Sequence, residues 1–195
     1  MPDAATTRGP PAELVVIGAS AGGVEALKEL VAMLPVTLAC PVLVVLHLSA
    51  RGRSMLPAIL DRAGPLEARV AVHGAWPGAG VHVAPVDRHL LISSDGLLLD
   101  TGPKEHGLRP AIDPTMRSAA ATFGPGAVGV VLSGTGHDGA EGLSAIREAG
   151  GRSLVQDPAQ ALYAAMPEHA IAAGAPDAVL PLTELSAQLA AWARR

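Results

Sequence analysis

The chain has 195 residues, with 14 Lys and Arg against 18 Asp and Glu and a formal net charge of -4. That length suits one sizeable domain, and the scattered basic residues exclude the clustered positive face of a nucleic-acid binder or a lipid-surface protein. Cys40 is the only cysteine, which excludes an internal disulfide framework, and with one Phe, one Tyr and two Trp the core has to be built from Val, Leu, Ile and Ala.

Residues 1–12, with Pro2, Asp3, Arg8, Pro10 and Pro11, read as a flexible leader to a single domain over 13–195. The leader lacks the apolar core of a signal peptide, and no later run is long enough to span a bilayer, so a cytoplasmic protein without membrane insertion is expected. The run Leu14-Val15-Val16-Ile17 predicts a first strand. A helix over 24–34 follows, with Val24, Leu27, Val31 and Leu34 in a stripe at helical spacing, and Pro35 ends it. The spacing then predicts a strand over 42–46 and a helix over 54–63. Between 69 and 100 the rhythm changes to short strands at 69–73, 81–84, 89–93 and 97–100, with Asp95-Gly96 as a hairpin turn signal. This block predicts a β-meander or antiparallel edge set into a parallel pattern. A helix over 112–123, a strand over 127–132, a helix over 140–149, a strand over 152–156, a helix over 166–173, a strand over 178–181 and a helix over 183–195 complete the chain. The alternation is that of a doubly wound, mostly parallel, three-layer α/β/α fold with an antiparallel hairpin or edge insertion.

Three polar side chains each follow a predicted hydrophobic strand. Ser20 lies in Gly18-Ala19-Ser20-Ala21-Gly22-Gly23 after the first strand, His47 closes the second, and Asp138 stands just beyond 127–132. In an open parallel sheet the carboxyl ends of the strands face one crevice, so groups far apart in sequence converge there. A glycine-flanked serine at a strand-to-helix turn projects its oxygen from a sharp bend, as an acyl-transfer nucleophile requires. The same loop also fits a dinucleotide turn, but that fingerprint has glycine where Ser20 stands and an acidic residue where this chain has His47. An imidazole is the usual proton acceptor for a serine hydroxyl. Taken singly, His47 equally suits a strand end bonded to backbone, and Asp138 suits a helix N-cap. The order Ser, His, Asp differs from that of the α/β-hydrolases, chymotrypsin and subtilisin, so geometry has to carry the assignment. His73, His82, His89, His106, His137 and His169 show no metal-ligand spacing, and structural or solvated roles are expected for them, with no metal.

Taken in order, several motifs resemble the catalytic domain of the chemotaxis protein-glutamate methylesterase CheB. They are the Ser20 loop, the His47 strand end, 83–89, Arg109-Pro110-Ala111-Ile112-Asp113, 132–140 and Gln156-Asp157-Pro158, and the resemblance spans about residues 13–182. It implies hydrolysis of glutamyl methyl esters on the cytoplasmic helices of methylated chemoreceptors, and deamidation of receptor glutamines by the same machinery. It further implies Ser20 as nucleophile, His47 as general base and acid, Asp138 as orienter, and no cofactor. Oxyanion donors are expected from the amides of Ala21 and Thr135. The family commonly has Thr at the first of these positions and Met at the second. Its best-known members carry an N-terminal phosphoacceptor receiver domain, which this chain, starting almost at its first strand, is expected to lack. Two other readings share the features: a non-catalytic module that binds receptor or signalling proteins, and an esterase for another ester.

Overall fold

Parallel strands buried on both faces read as unbroken Val, Leu and Ile runs, and β1 (Leu14–Ala19), β2 (Pro41–Leu46) and β7 (Ala127–Val131) are of this kind. The computed structural model describes residues 10–47 and 54–193. In chain order the elements after β1 are α1 (Gly23–Met33), β2, α2 (Leu56–Ala63), β3 (Ala68–Val70), β4 (Gly80–Val83), β5 (His89–Ser93) and β6 (Gly96–Asp100). They continue with α3 (Ile112–Phe123), β7, α4 (Ala140–Glu148), β8 (Arg152–Gln156), α5 (Ala165–Ala173), β9 (Ala178–Leu180) and α6 (Leu182–Trp192). Seven strands form one parallel sheet in the order β3-β4-β2-β1-β7-β8-β9, and β5 pairs with β6 as a separate antiparallel hairpin.

Alternate residues of β1 feed two cores. Val15, Ile17 and Ala19 pack with Leu27, Leu30 and Val31 of α1, Leu60 of α2 and Leu185 and Leu189 of α6. Leu14 and Val16 pack on the other face with Ile112 and Met116 of α3, Leu143 and Ile146 of α4, and Met166 and Ala170 of α5. Helices therefore cover both faces. None of those described is long and apolar enough to cross a membrane.

The block at 69–100 is only half antiparallel. β5 and β6 form the expected hairpin, whereas β3 and β4 join the main sheet as parallel edge strands. Residues 71–79, which connect them, contain no helix. Parallel pairing is usually announced by a crossover helix, and without its 3.6-residue period the two short strands carry the same signal as a meander. The second helix starts at Leu56 rather than Ser54, whose hydroxyl accepts the Leu56 N–H from outside it at 3.2 Å. The closing helix ends at Trp192. Residues 1–9 of the expected leader and 194–195 of the expected last helix lie outside the described residues.

From β1 the chain runs to β2 on one side, and from β7 to β8 on the other. The boundary between β1 and β7 is thus the switch point of the sheet, where α/β folds open a crevice at the strand carboxyl ends. α3 comes very close to β1 beside it: a Cβ at Gly18 would lie 2.5 Å from Ile112 Cγ2 and 2.7 Å from its Cδ1. Ile112 is fully buried and β-branched, so it has no room to yield. Gly18→Ala is expected to lower the unfolding free energy by about 1–3 kcal/mol in urea titration. Wild-type stability in that variant would show that α3 does not press on β1 as described.

Candidate active site

Ser20 follows β1 in a turn that sequence and neighbours shape together. Gly22 adopts φ 70°, a left-handed conformation that glycine accepts without a Cβ penalty, and α1 starts at the next residue. The turn is fastened to the segment after β7. Ser20 N–H donates to the Ser133 carbonyl at 3.0 Å, and the Ser133 hydroxyl donates to the Ala21 carbonyl at 2.9 Å. The same hydroxyl accepts the Tyr163 N–H at 3.0 Å, which ties in the segment before α5. His47 leaves β2 alongside, its N–H donating to the Ala19 carbonyl at 3.2 Å.

Asp138 reaches this group from the turn after β7. Its carboxylate is buried, with a side-chain exposure of 2% against 8% for His47, and Oδ2 lies 2.6 Å from His47 Nε2. Oδ2 also accepts the Ile112 N–H at 2.7 Å, and Oδ1 accepts the Asp113 N–H at 2.9 Å. The Asp138 carboxylate is thus a cap after all, but of α3 rather than of the helix it precedes. The start of α4 is capped by Asp113 instead, whose Oδ1 accepts the N–H groups of Gly139 at 2.9 Å and Gly142 at 2.6 Å. One carboxylate thus meets His47 and caps a helix other than the one it precedes.

With Nε2 turned to Asp138, Nδ1 makes no hydrogen bond among the described residues. The Ser20 hydroxyl forms no hydrogen bond among the described residues. The Ala21 and Thr135 N–H groups also donate to nothing among the described residues, whereas the intervening Gly134 N–H is taken by the Tyr163 carbonyl at 3.0 Å. A groove of about 580 Å³ between α1 and α6, lined by Met33, Leu38 and Ala190 among others, is remote from these groups.

Other residues act from behind. Arg109 donates through Nε and Nη2 to Asp87 Oδ1 at 3.0 and 2.8 Å and through Nη1 to the Thr101 and Gly102 carbonyls, clamping the loop that leads into α3. His89, buried, accepts the Ala111 N–H on Nδ1 and donates from Nε2 to the Pro103 carbonyl. His82 is likewise buried and bonded to a carbonyl, that of Gly78. These histidines are structural, as expected. His106 is different: its Nε2 lies 3.1 Å from Asp113 Oδ2. Glu105, His106, Asp113 and Glu141 bring potential ligand atoms within 4.8 Å of one another. Arg117 pairs with one of these carboxylates, forked onto Glu105 at 2.7 and 2.8 Å. Asp113 and Ser133 carried no chemistry in the sequence reading, because an acidic residue in a first helical turn and a serine after a strand are both commonplace.

The chain matches the family model described as CheB methylesterase over residues 15–189. The chain belongs to the CheB methylesterase family. Among curated relatives, protein-glutamate methylesterase/protein-glutamine glutaminase 3 of Anaeromyxobacter dehalogenans is 46% identical, with 100% of this chain aligned to 58% of that relative. Protein-glutamate methylesterase FrzG of Myxococcus xanthus is 40% identical, over 94% of this chain and 55% of that relative. The chain thus spans a little over half the length of the curated relatives it matches. The crystal structure of the Thermotoga maritima CheB methylesterase catalytic domain superposes with a TM-score of 0.89 at 30% identity, covering 92% of this chain and 98% of that one. The mostly parallel sheet with its small hairpin is the fold of that domain.

Burial raises both buried carboxylates, but they end on opposite sides of the ordinary range. For Asp138 the hydrogen bonds from His47, Ile112 and Asp113 outweigh burial and hold it below 3.8. Asp113, raised chiefly by burial and further by the Asp138 charge, is pushed up to about 6. A raised carboxylate keeps its proton in the native state after the unfolded chain has lost it, so the Asp113 contribution to stability falls as pH rises from 3.8 to about 6. The depressed Asp138 acts in the other window: its contribution is complete above 3.8 and is lost at lower pH. Relative to wild type, Asp113→Asn is therefore expected to gain stability between pH 4 and pH 7, as read from urea midpoints at the two pH values. A relative loss over that interval would reverse the assignment.

Proposed function

We propose that this chain hydrolyses glutamyl methyl esters on the cytoplasmic helices of chemoreceptors, with Ser20 as nucleophile, His47 as general base and acid, and Asp138 as the residue that orients His47. The observation that carries the reading is the buried Asp138–His47 contact at 2.6 Å, set beside the glycine-flanked Ser20 at the switch point of a CheB-family fold. The names of the relatives support it.

In this mechanism His47 Nδ1 takes the Ser20 proton as Oγ adds to the ester carbonyl, and Asp138 holds the imidazolium that forms. The negative charge gathers on the former carbonyl oxygen, where the Ala21 and Thr135 N–H groups, both uncommitted, serve as donors. Donation from the main chain makes the reading independent of the Ala and Thr side chains at these positions. Collapse breaks the bond to the methoxy group, which leaves as methanol with the proton from His47. Water then adds to the acyl-enzyme as His47 takes its proton, and collapse releases the glutamate carboxylate and Ser20, whose oxygen takes that proton from His47. A glutamine side chain enters the same cycle with ammonia as leaving group, which yields the deamidase activity. The reaction needs no redox step and no cofactor electrons. Action in the cytoplasm, at receptor tails, completes the proposal.

The test is methanol release from methylated chemoreceptor membranes by the purified protein. Ser20→Ala, His47→Ala and Asp138→Asn are each expected to lower kcat by about a thousandfold or more, and to do so non-additively when combined. No release by the folded wild-type protein, with Ser20 also unreactive to serine-directed reagents, would leave a binding module as the better reading.

A further inference from the structure

The contact between α3 and α4 is closed by two aspartates that exchange places. Asp138 precedes α4 and accepts amides of α3; Asp113 lies in α3 and accepts amides at the start of α4. Each carboxylate sits where a helix N-terminus favours negative charge. The exchange depends on close approach. A Cβ at Gly142 would lie 2.6 Å from Met116 Cβ and 3.1 Å from Asp113 Oδ1, so only glycine there lets α4 bring its N–H groups to Asp113.

We propose that Asp113 is a positioning residue: with its own main-chain N–H and carboxylate it locks Asp138 in the orientation that meets His47, and through His106 it links that lock to the solvent-facing surface. The proposal rests on the reading of Asp138 as the residue that orients His47. Turning the Asp138 carboxylate away from His47 would break its bonds to the Ile112 and Asp113 amides, and shifting the turn that carries Asp138 would break the bond from Gly139 to Asp113. Asp113 is fully buried, whereas the His106 side chain is 25% exposed. The groups that face Asp113 come from every neighbouring element. They are His106 and Glu105 from the loop before α3, Arg117 from α3, Asp138 from the turn after β7, and Glu141 from α4, with His47 beyond Asp138.

This arrangement has an electrostatic consequence. Two carboxylates in one buried network do not ionise with equal ease. Here Asp138 ionises first, and Asp113, pushed up to about 6 chiefly by burial, changes charge close to neutral pH. Its negative charge, when present, adds to the field that favours the imidazolium of His47. Asp113→Asn keeps an oxygen for the Gly139 and Gly142 amides but removes that charge. His106→Gln removes the donor that favours ionised Asp113, and so leaves it neutral to a higher pH.

The deciding experiment follows the His47 ring resonances by NMR across a pH titration of wild type, Asp113→Asn and His106→Gln. It runs beside labelling of Ser20 by a fluorophosphonate at the same pH values. Asp113→Asn is expected to move the His47 midpoint to lower pH by roughly half a unit to one unit, and His106→Gln by less in the same direction. The acid limb of Ser20 labelling should move with it. A merely structural Asp113 would lower the melting temperature and leave the midpoint in place. Unchanged midpoints in the folded variants would overturn the proposal, and His106→Gln alone decides it if Asp113→Asn does not fold. A midpoint that moves while wild-type Ser20 resists labelling would uphold the coupling of Asp113 to His47 and refute the hydrolase reading instead.

Discussion

Asp113 and Asp138 are both taken out of water within one hydrogen-bonded group, and an ionised carboxylate tolerates that only when several N–H donors replace the water it loses. The donors come from the first turns of α3 and α4, where main-chain amides have no intrahelical partner. Those two helix starts must therefore lie side by side at the carboxyl edge of the sheet. Much of the surrounding structure serves this requirement. Gly142 lets the helices approach, Gly18 lets Ile112 settle onto β1, and the Arg109 clamp with His89 fixes the loop that delivers α3.

On the other side of the switch point the constraint is steric and conformational. Ser20 has to leave β1 and turn sharply into α1 while staying joined to the end of β7. Gly22 supplies the left-handed turn, and Gly23 lets α1 pass within contact of Ala19 and Leu46. Ser133 then binds the Ser20 turn, its own strand end and the segment before α5 into one unit through its carbonyl and hydroxyl. The result is a hydroxyl, an imidazole and a carboxylate on three separate strand ends, each held by backbone hydrogen bonds rather than by long flexible side chains. Such rigidity is what positions groups for chemistry.

The placement of Nε2 toward Asp138 has a simple origin. His47 leaves β2 next to β1, and Asp138 approaches from beyond β7, so the imidazole reaches past the end of β1 to bring Nε2 to the carboxylate.

Element types, the Ser20 turn, the strand-end positions of His47 and Asp138, and the family were legible in the chain, because hydrophobic period and glycine placement act within a few residues. The parallel pairing of β3 and β4 was not, since no crossover helix marks it. Nor was the double use of Asp138, or the part played by Asp113 and Ser133. Most of their partners lie far along the chain, as in Gly139–Asp113, 26 positions apart, and Ser133–Ala21, 112 apart, and local pattern carries no information about such pairs. The sequence by itself determined which segments are strands and helices and which side chains stand at their ends. Only the tertiary structure decided which helix each aspartate caps and which nitrogen each carboxylate meets, because those are set by the order of strands in the sheet and the close approach of α3 to α4.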